Sequence, residues 1–418
     1  MNIVFFADTF LPQTNGVVTY VIETGLQLKK LGHRILFVIP KEVKKSQIPK
    51  GFSPKNFCFA PSIPADVFYP NWRIALSYSY RIDKTLAKFK PDILHIHIPL
   101  TISMGGILAA KRFNKPLIGT YHTFISSEEM FKMIGITKGK GTRVLKKLSW
   151  EYSNLFYNRC DLVLAPTEKM ASILKKNGIK KPITILREGI NFHKMKILTN
   201  DEKKTFKKKY QCEEKKVILH VGRLSREKNL PLLLQVMALI HKKHQNIHLL
   251  IVGDGPQKKE LMKTAQKLEI ENAVTFTGSI PREKILSDGI YSACDLFLTT
   301  SKFETFGLTV LEAMGSGLPI ITVESQGAPE LVEENGYICK DNKHHIANHV
   351  IKILSDTKLQ KKFSQQSLKI RKKYDSKKTT QKLIQIYEKL IAEKKIKTTK
   401  NKFTCPPILL KTKDGDRF

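Results

Sequence analysis

The stretch LFLTTSKFETFGLTVLEAMGSGLPIITV, residues 296–323, reads as one strand, one helix and a second strand. LFLTTS is an apolar run closed by hydroxyl residues, LTVLEAMGSG has helical composition and ends in glycines, and PIITV is β-branched. Glu304 then sits at a strand end, Gly307 near the start of the helix and Glu312 roughly two turns along it. From 306 to 312 a helix rises about 9 Å. Two carboxylates so spaced suit a long ligand with hydroxyls at both ends and an anionic group near the free N–H groups of the helix start; a sugar nucleotide has that shape. Retaining glycoside hydrolysis needs carboxyls about 5 Å apart, which this spacing does not give. Taken alone, the two glutamates also fit a turn residue and a surface residue of an ordinary amphipathic helix.

Working outward, the same alternation fills the chain. Before the quoted unit run KKVILHVGR, LPLLLQVMALIHKKH, IHLLIVGDG, KKELMKTAQKLEI and AVTFTG; earlier still come NIVFFA, NGVVTYVIETGLQLKKLG, RILFVIP, DILHIHI, SMGGILAAKRF, PLIGTYH, LVLAPT and EKMASILKKNG. Two βαβ series predict an α/β protein of two Rossmann-like domains with a cleft at the carboxyl ends of their strands. The boundaries expected are 1–185 for the first domain, an irregular polar linker over 186–212, and 213–350 for the second. Lysine-rich helices follow over 351–398, then a frayed basic tail over 399–418.

With 418 residues, 41% hydrophobic and 26% charged, the chain is neither disordered, fibrous nor a disulfide scaffold. Its six cysteines are scattered singly without CxxC or a His/Cys cluster at ligand spacing, which points to a reduced cytosolic protein without structural zinc. MNIVFFADTFLP lacks a basic leader region and reads as a first strand rather than a signal peptide, and no apolar run reaches the roughly 18 residues of a membrane span. The net charge is +35, divided unevenly: +17 over 1–185, +4 over 186–350 and +14 over 351–418. That division suggests an anionic surface facing the first domain and the tail, beside a general lysine bias of composition. Nucleic-acid binding would call for interleaved stacking aromatics or a recognised module, and neither is present.

VGRLSREKN, 221–229, ends a strand at Gly222 and sets Arg223 and Lys228 at the opening of the next helix, where two cations suit a diphosphate leaving group. TNGVVTY, 14–20, is a glycine turn in which Gly16 lets backbone N–H groups approach a phosphate. GTYHTF puts His122 at the cleft edge, within reach of a sugar hydroxyl or an acceptor; the rival is a hydrogen-bonded interface histidine. His95 and His97 face one side of the strand DILHIHIP, where packing near the cleft is the expectation over metal binding. The single DxD string, Asp414 to Asp416, falls in the tail, so no metal or other cofactor is expected.

Together these motifs resemble the group 1 family of retaining glycosyltransferases with the GT-B fold, over residues 1 to about 395. The most specific element is E-x7-E, Glu304 to Glu312, accompanied by GRLSREKN, VGDGP and FLPQTNGV. The resemblance implies that Glu304 and the main chain at Phe306, Gly307 and Leu308 meet the donor sugar, and that Glu312 binds the ribose. It further implies that Arg223 and Lys228 hold the diphosphate with Gly16 opposite, that His122 lies near sugar and acceptor, and that a final helix crosses back to the first domain. Transfer would retain configuration without metal, the leaving phosphate taking the acceptor's proton. REGIN, 187–191, departs from the family pattern and puts a donor role for Glu188 or Asn191 in doubt.

FADTFLPQTNGVVTYV, HIHIPLTISMGG and GTYHTF look most like diacylglycerol glucosyltransferases, which implies glucose moved from UDP-glucose to a membrane lipid. FKMIGITKGKGTRVLKKLSW, 131–150, has six Lys/Arg and no acid among apolar residues, as an interfacial membrane segment would; a solvated lysine loop is its plain rival. The expected partners are therefore a nucleotide-sugar donor, a lipid acceptor and an anionic surface, at the inner face of the cell membrane. A GDP-mannose-dependent mannosyltransferase is the enzymatic alternative, and a noncatalytic sugar-nucleotide-binding protein the alternative of another class.

Overall fold

The computed structural model describes residues 1–13, 15–41, 48–65, 72–122 and 140–403. The first domain starts with β1 (Asn2–Phe6), α1 (Gly16–Lys30), β2 (Arg34–Pro40), β3 (Phe57–Ala60) and the short strands β4 (Ser62–Pro64) and β5 (Arg73–Ala75). It continues through α2 (Tyr80–Phe89), β6 (Ile93–Ile96), α3 (Thr101–Arg112), β7 (Leu117–Thr120), α4 (Lys140–Tyr157), β8 (Leu162–Ala165), α5 (Glu168–Lys176) and β9 (Ile183–Ile185). Seven strands pair in the order β3-β2-β1-β6-β7-β8-β9, each pair parallel, with Phe5 of β1 opposite Phe37 and His95. Being covered on both faces, these strands are almost continuously apolar, as parallel sheets require. β4 and β5 make a separate antiparallel pair.

A helix, α6 (Asn200–Lys209), precedes the second sheet, within the stretch expected to be an irregular linker. Its cause is local: Thr199 and Glu202 form a capping box, the Thr199 hydroxyl accepting from the Glu202 N–H at 3.3 Å while the Glu202 carboxylate accepts from the Thr199 N–H at 2.8 Å. Phe206 then anchors the helix in the second core.

The second domain runs β10 (Lys216–Val221), α7 (Leu230–His241), β11 (Ile247–Val252), α8 (Lys258–Lys267), β12 (Val274–Gly278), α9 (Arg282–Ser287), β13 (Leu296–Thr299), α10 (Leu308–Gly315), β14 (Ile320–Val323) and β15 (Gly336–Cys339). Its six parallel strands are ordered β12-β11-β10-β13-β14-β15. In both sheets the order reverses at the first strand, which opens the crevice where such sheets bind ligands.

Three helices close the described chain: α11 (Lys343–Ser355), α12 (Thr357–Ile370) and α13 (Ser376–Phe403). The chain returns to the first domain at α13, as the GT-B resemblance implied: Leu383, Tyr387 and Leu390 are buried in the same cluster as Phe5, Tyr20, Val21 and Leu28. The Tyr387 hydroxyl and His95 Nδ1 are 2.6 Å apart across this junction. The helix continues to Phe403, past the expected fraying point at 398, and residues 404–418, with most of the anticipated tail and its DxD string, lie outside the described residues.

Candidate active site between the two sheets

At the end of β10 the chain is pressed against the loop leaving β11. Gly253 has φ +147°, and a Cβ there would stand 1.9 Å from the Gly222 carbonyl oxygen, so VGDGP needs glycine at this point. Arg223 follows on this turn, half-buried. Next, residues 226–228 form a 3-10 turn ending in left-handed Asn229. The Thr300 hydroxyl donates to the carbonyls of Lys228 and Asn229, both at 3.0 Å, and so locks the turn to the end of β13.

This arrangement brings the Lys228 ammonium onto the Glu304 carboxylate. Burial works against the charged lysine, yet Glu304 more than offsets it and holds the pKa above the ordinary lysine value. The Glu304 carbonyl accepts from the Gly327 N–H at 2.7 Å, so both ends of this residue are fixed. His220 lies beneath, its Nδ1 donating to the Leu298 carbonyl at 3.1 Å; desolvation lowers its pKa to about 4 and keeps it neutral.

Glu304 is five residues beyond β13, and α10 starts only at Leu308. Glu312 is therefore about 6 Å along the helix, nearer one turn than the two expected. Gly307 caps the helix start at φ +101°, a left-handed conformation that favours glycine. Across the cleft is the start of α1: a Cβ on Gly16 would lie 3.3 Å from Leu308 Cδ1, so the amino ends of two helices, one from each domain, face each other. Anions favour such ends. The Phe306 ring points away, buried 6.1 Å from the Tyr374 ring, leaving its main chain to any ligand.

The Glu312 carboxylate is buried with both oxygens engaged: Oε1 accepts from Arg282 Nε at 2.5 Å and Oε2 from the Tyr291 hydroxyl at 2.6 Å. Burial opposes the Arg282 charge, while Glu312, and Glu23 of α1 at 4.0 Å, hold it protonated. Lys194 also reaches Glu23, at 2.5 Å, so one carboxylate of the first domain ties down two cations from beyond it. On the other flank the Glu330 carboxylate accepts from the N–H groups of Glu168 and Lys169 at the start of α5, at 3.2 and 3.0 Å.

His122 is buried just past β7, with Nδ1 3.3 Å from Glu188 Oε1 and Nε2 3.1 Å from His97 Nδ1. Its ring lies 4.7 Å from that of Tyr20, and His97 stacks on His95 at 4.1 Å. Desolvation first, then the neighbouring histidines, keep His97 neutral. Sequence reasoning missed Arg282, Tyr291 and Glu23, which announce themselves only as members of PRE, YSAC and IETG, and it doubted Glu188, which the fold brings to His122. It also found no grouping of metal-ligand residues, whereas the fold gathers Cys339, His345 and His349.

Two family models match, the glycosyl transferases group 1 over residues 201–370 and glycosyltransferase family 4 over residues 14–194. The chain belongs to the group 1 glycosyltransferases. The glycosyltransferase is 29% identical over 327 residues to an alpha-monoglucosyldiacylglycerol synthase of Streptococcus pneumoniae, spanning 77% of this chain and 70% of that protein. A GDP-mannose-dependent alpha-mannosyltransferase of Mycolicibacterium smegmatis is 25% identical, with 79% and 82% covered. Among solved structures, Anabaena HepE in complex with UDP superimposes on the glycosyltransferase with a TM-score of 0.74 at 19% identity, covering 93% of this chain and all of that one. That likeness establishes the shared GT-B architecture.

Proposed function

We propose that this glycosyltransferase moves glucose from UDP-glucose to a membrane lipid hydroxyl such as that of diacylglycerol, with retention of configuration, while seated peripherally on the inner face of the cell membrane. The observation that carries the reading is on α4. Val144, Leu148, Tyr152 and Leu155 are exposed at helical spacing, beside the exposed cations Arg143, Lys146 and Lys147. An apolar stripe flanked by lysines suits the interface of an anionic leaflet. Residues 131–139 of the basic segment read from sequence lie outside the described residues. The name borne by the Streptococcus relative supports a lipid acceptor. Among the described residues no helix is long and apolar enough to cross a membrane.

In this reading Lys228 and Arg223 hold the donor diphosphate between the facing starts of α1 and α10. Glu304 and the main chain of Phe306, Gly307 and Leu308 hold the sugar, and Glu312 binds the ribose after exchanging one of its internal partners for a hydroxyl. His122 orients the sugar or the acceptor. The acceptor oxygen forms its bond to the anomeric carbon on the face the phosphate leaves, the carbon–phosphate oxygen bond breaks, and the acceptor proton passes to the departing phosphate. Lys228 and the helix ends stabilise the negative charge that develops there.

Radiolabelled UDP-glucose, UDP-galactose and GDP-mannose, each incubated with the enzyme and diacylglycerol-containing vesicles, test the proposal. Label from UDP-glucose is expected in the organic extract. Label from GDP-mannose alone would transfer the reading to a mannosyltransferase, and counts that stay aqueous in every arm would remove the lipid acceptor.

A further inference from the structure

Away from the cleft, three side chains with metal-ligand chemistry converge where β15 gives way to α11. Cys339 is the last residue of β15, and His345 and His349 stand four apart on α11, so they share one helix face. One donor atom from each of the three lies within 4.8 Å of the others. Cys339 is fully buried. His349 Nδ1 donates to the His345 carbonyl at 2.8 Å, which fixes the tautomer and leaves Nε2 with its lone pair free for a cation. His345 Nδ1 is buried and has no hydrogen-bond partner among the described residues, an arrangement that burial penalises unless a ligand satisfies it.

We propose that Cys339, His345 and His349 bind one divalent cation of the zinc class, at a site separate from the donor cleft. The donor set of one thiolate and two imidazoles is borderline soft, which suits Zn²⁺ and disfavours Mg²⁺ or Ca²⁺. With metal bonds of about 2.0–2.3 Å, tetrahedral donors stand about 3.3–3.7 Å apart, so the three close by about 1 Å, within reach of side-chain rotation. Water completes the fourth position. Binding breaks the Cys339 S–H bond, forms a sulfur–metal bond and releases one proton to solvent. The cation staples a strand end to the helix that follows it. The turn it closes carries Asp341, which contacts Lys302 and lies 3.4 Å from Asn229, the neighbour of Lys228. The Asn342 side chain shapes that turn by accepting from the N–H groups of His344 and His345, at 2.9 and 3.1 Å.

The test uses the full chain, stripped with EDTA and titrated with Zn²⁺ against a chromophoric chelator, and separately with Co²⁺ read by absorption. One equivalent of metal is expected, with a cobalt thiolate charge-transfer band in the near ultraviolet. His345→Gln and His349→Gln should each weaken Zn²⁺ binding at least tenfold, and Cys339→Ser should remove the charge-transfer band. His344→Gln, altering an exposed neighbour, should leave affinity and spectrum unchanged. Should Cys339→Ser fail to fold, the two glutamine variants and the cobalt spectrum of the parent chain decide the matter. Absence of the charge-transfer band from the parent chain, or Zn²⁺ affinity indifferent to both glutamine variants, would overturn the proposal.

Discussion

Lys228 and Glu304 are 76 positions apart in sequence and in contact in the fold. Their meeting depends on a turn that Thr300 clamps and on a loop that Gly327 pins, and neither clamp contributes chemistry of its own. Glu304→Gln keeps the shape of the side chain and removes the charge that offsets burial of Lys228. Transfer is expected to fall at least 100-fold, about 2.7 kcal/mol of transition-state stabilisation, and the urea midpoint should fall as well, because the buried Lys228 ammonium loses its counter-charge. Steady-state kcat/KM beside a urea melt checks both; turnover at the parent rate would remove Glu304 from the reaction. Lys228 and Glu304 could be picked out of the sequence because each occupies a recognisable strand-end motif. Arg282 and Tyr291 could not, since nothing about PRE or YSAC says that both will converge on one buried carboxylate. Glu188 was doubted for departing from a family pattern, yet its position just after β9 is what delivers it to His122.

The elements themselves were legible wherever period and caps agreed, as in the apolar strands and in α1, whose start Asn15 caps by accepting from the Val18 N–H at 3.0 Å. The α6 helix was missed because one buried residue, Phe206, among lysines leaves almost no apolar period to read. The exposed stripe on α4 was legible only in part: the basic, apolar segment 131–150 already held Val144 and Leu148, but sequence does not say which apolar residues of a helix find a core, and the stripe runs on through Tyr152 and Leu155. Leu148 is 52% exposed, so Leu148→Asp should alter folding stability by no more than about 0.5 kcal/mol. The same change should cut sedimentation with anionic vesicles at least tenfold; undiminished binding would detach α4 from the membrane. For α13, Tyr387→Phe deletes the hydroxyl facing His95 Nδ1 and leaves a buried ring nitrogen without its partner. A loss of about 1–3 kcal/mol is expected in a urea titration, and an unchanged midpoint would mean that apolar contacts alone hold this helix to the first domain.

Over the whole molecule, the two sheets share a habit of burying histidines in neutral form. Desolvation lowers His95 and His97 well below the ordinary histidine value in the first domain, and takes His220 and His248 to about 4 in the second. An unfolded chain protonates these rings below about pH 6.5, whereas the fold resists until much lower pH. Between about 6.5 and 4 the unfolded state therefore binds more protons. Stability present in full above about pH 6.5 is lost as pH falls, by up to about 3 kcal/mol for His220 alone. Asp8 acts in the opposite sense. Burial raises it to about 6 although it accepts from the Ile102 and Ser103 N–H groups at 2.7 and 3.1 Å, so the fold takes up its proton first and regains stability as pH falls from about 6 to 3.8. Four histidines outweigh one aspartate. Urea midpoints measured from pH 7.5 to 4.5 should stay level down to about pH 6.5 and decline below it, and His220→Gln should lessen that slope. A profile flat to pH 4.5 would mean that these rings take up protons in place, and the sheets would then need to admit water or anions where the fold now encloses His95, His97 and His220.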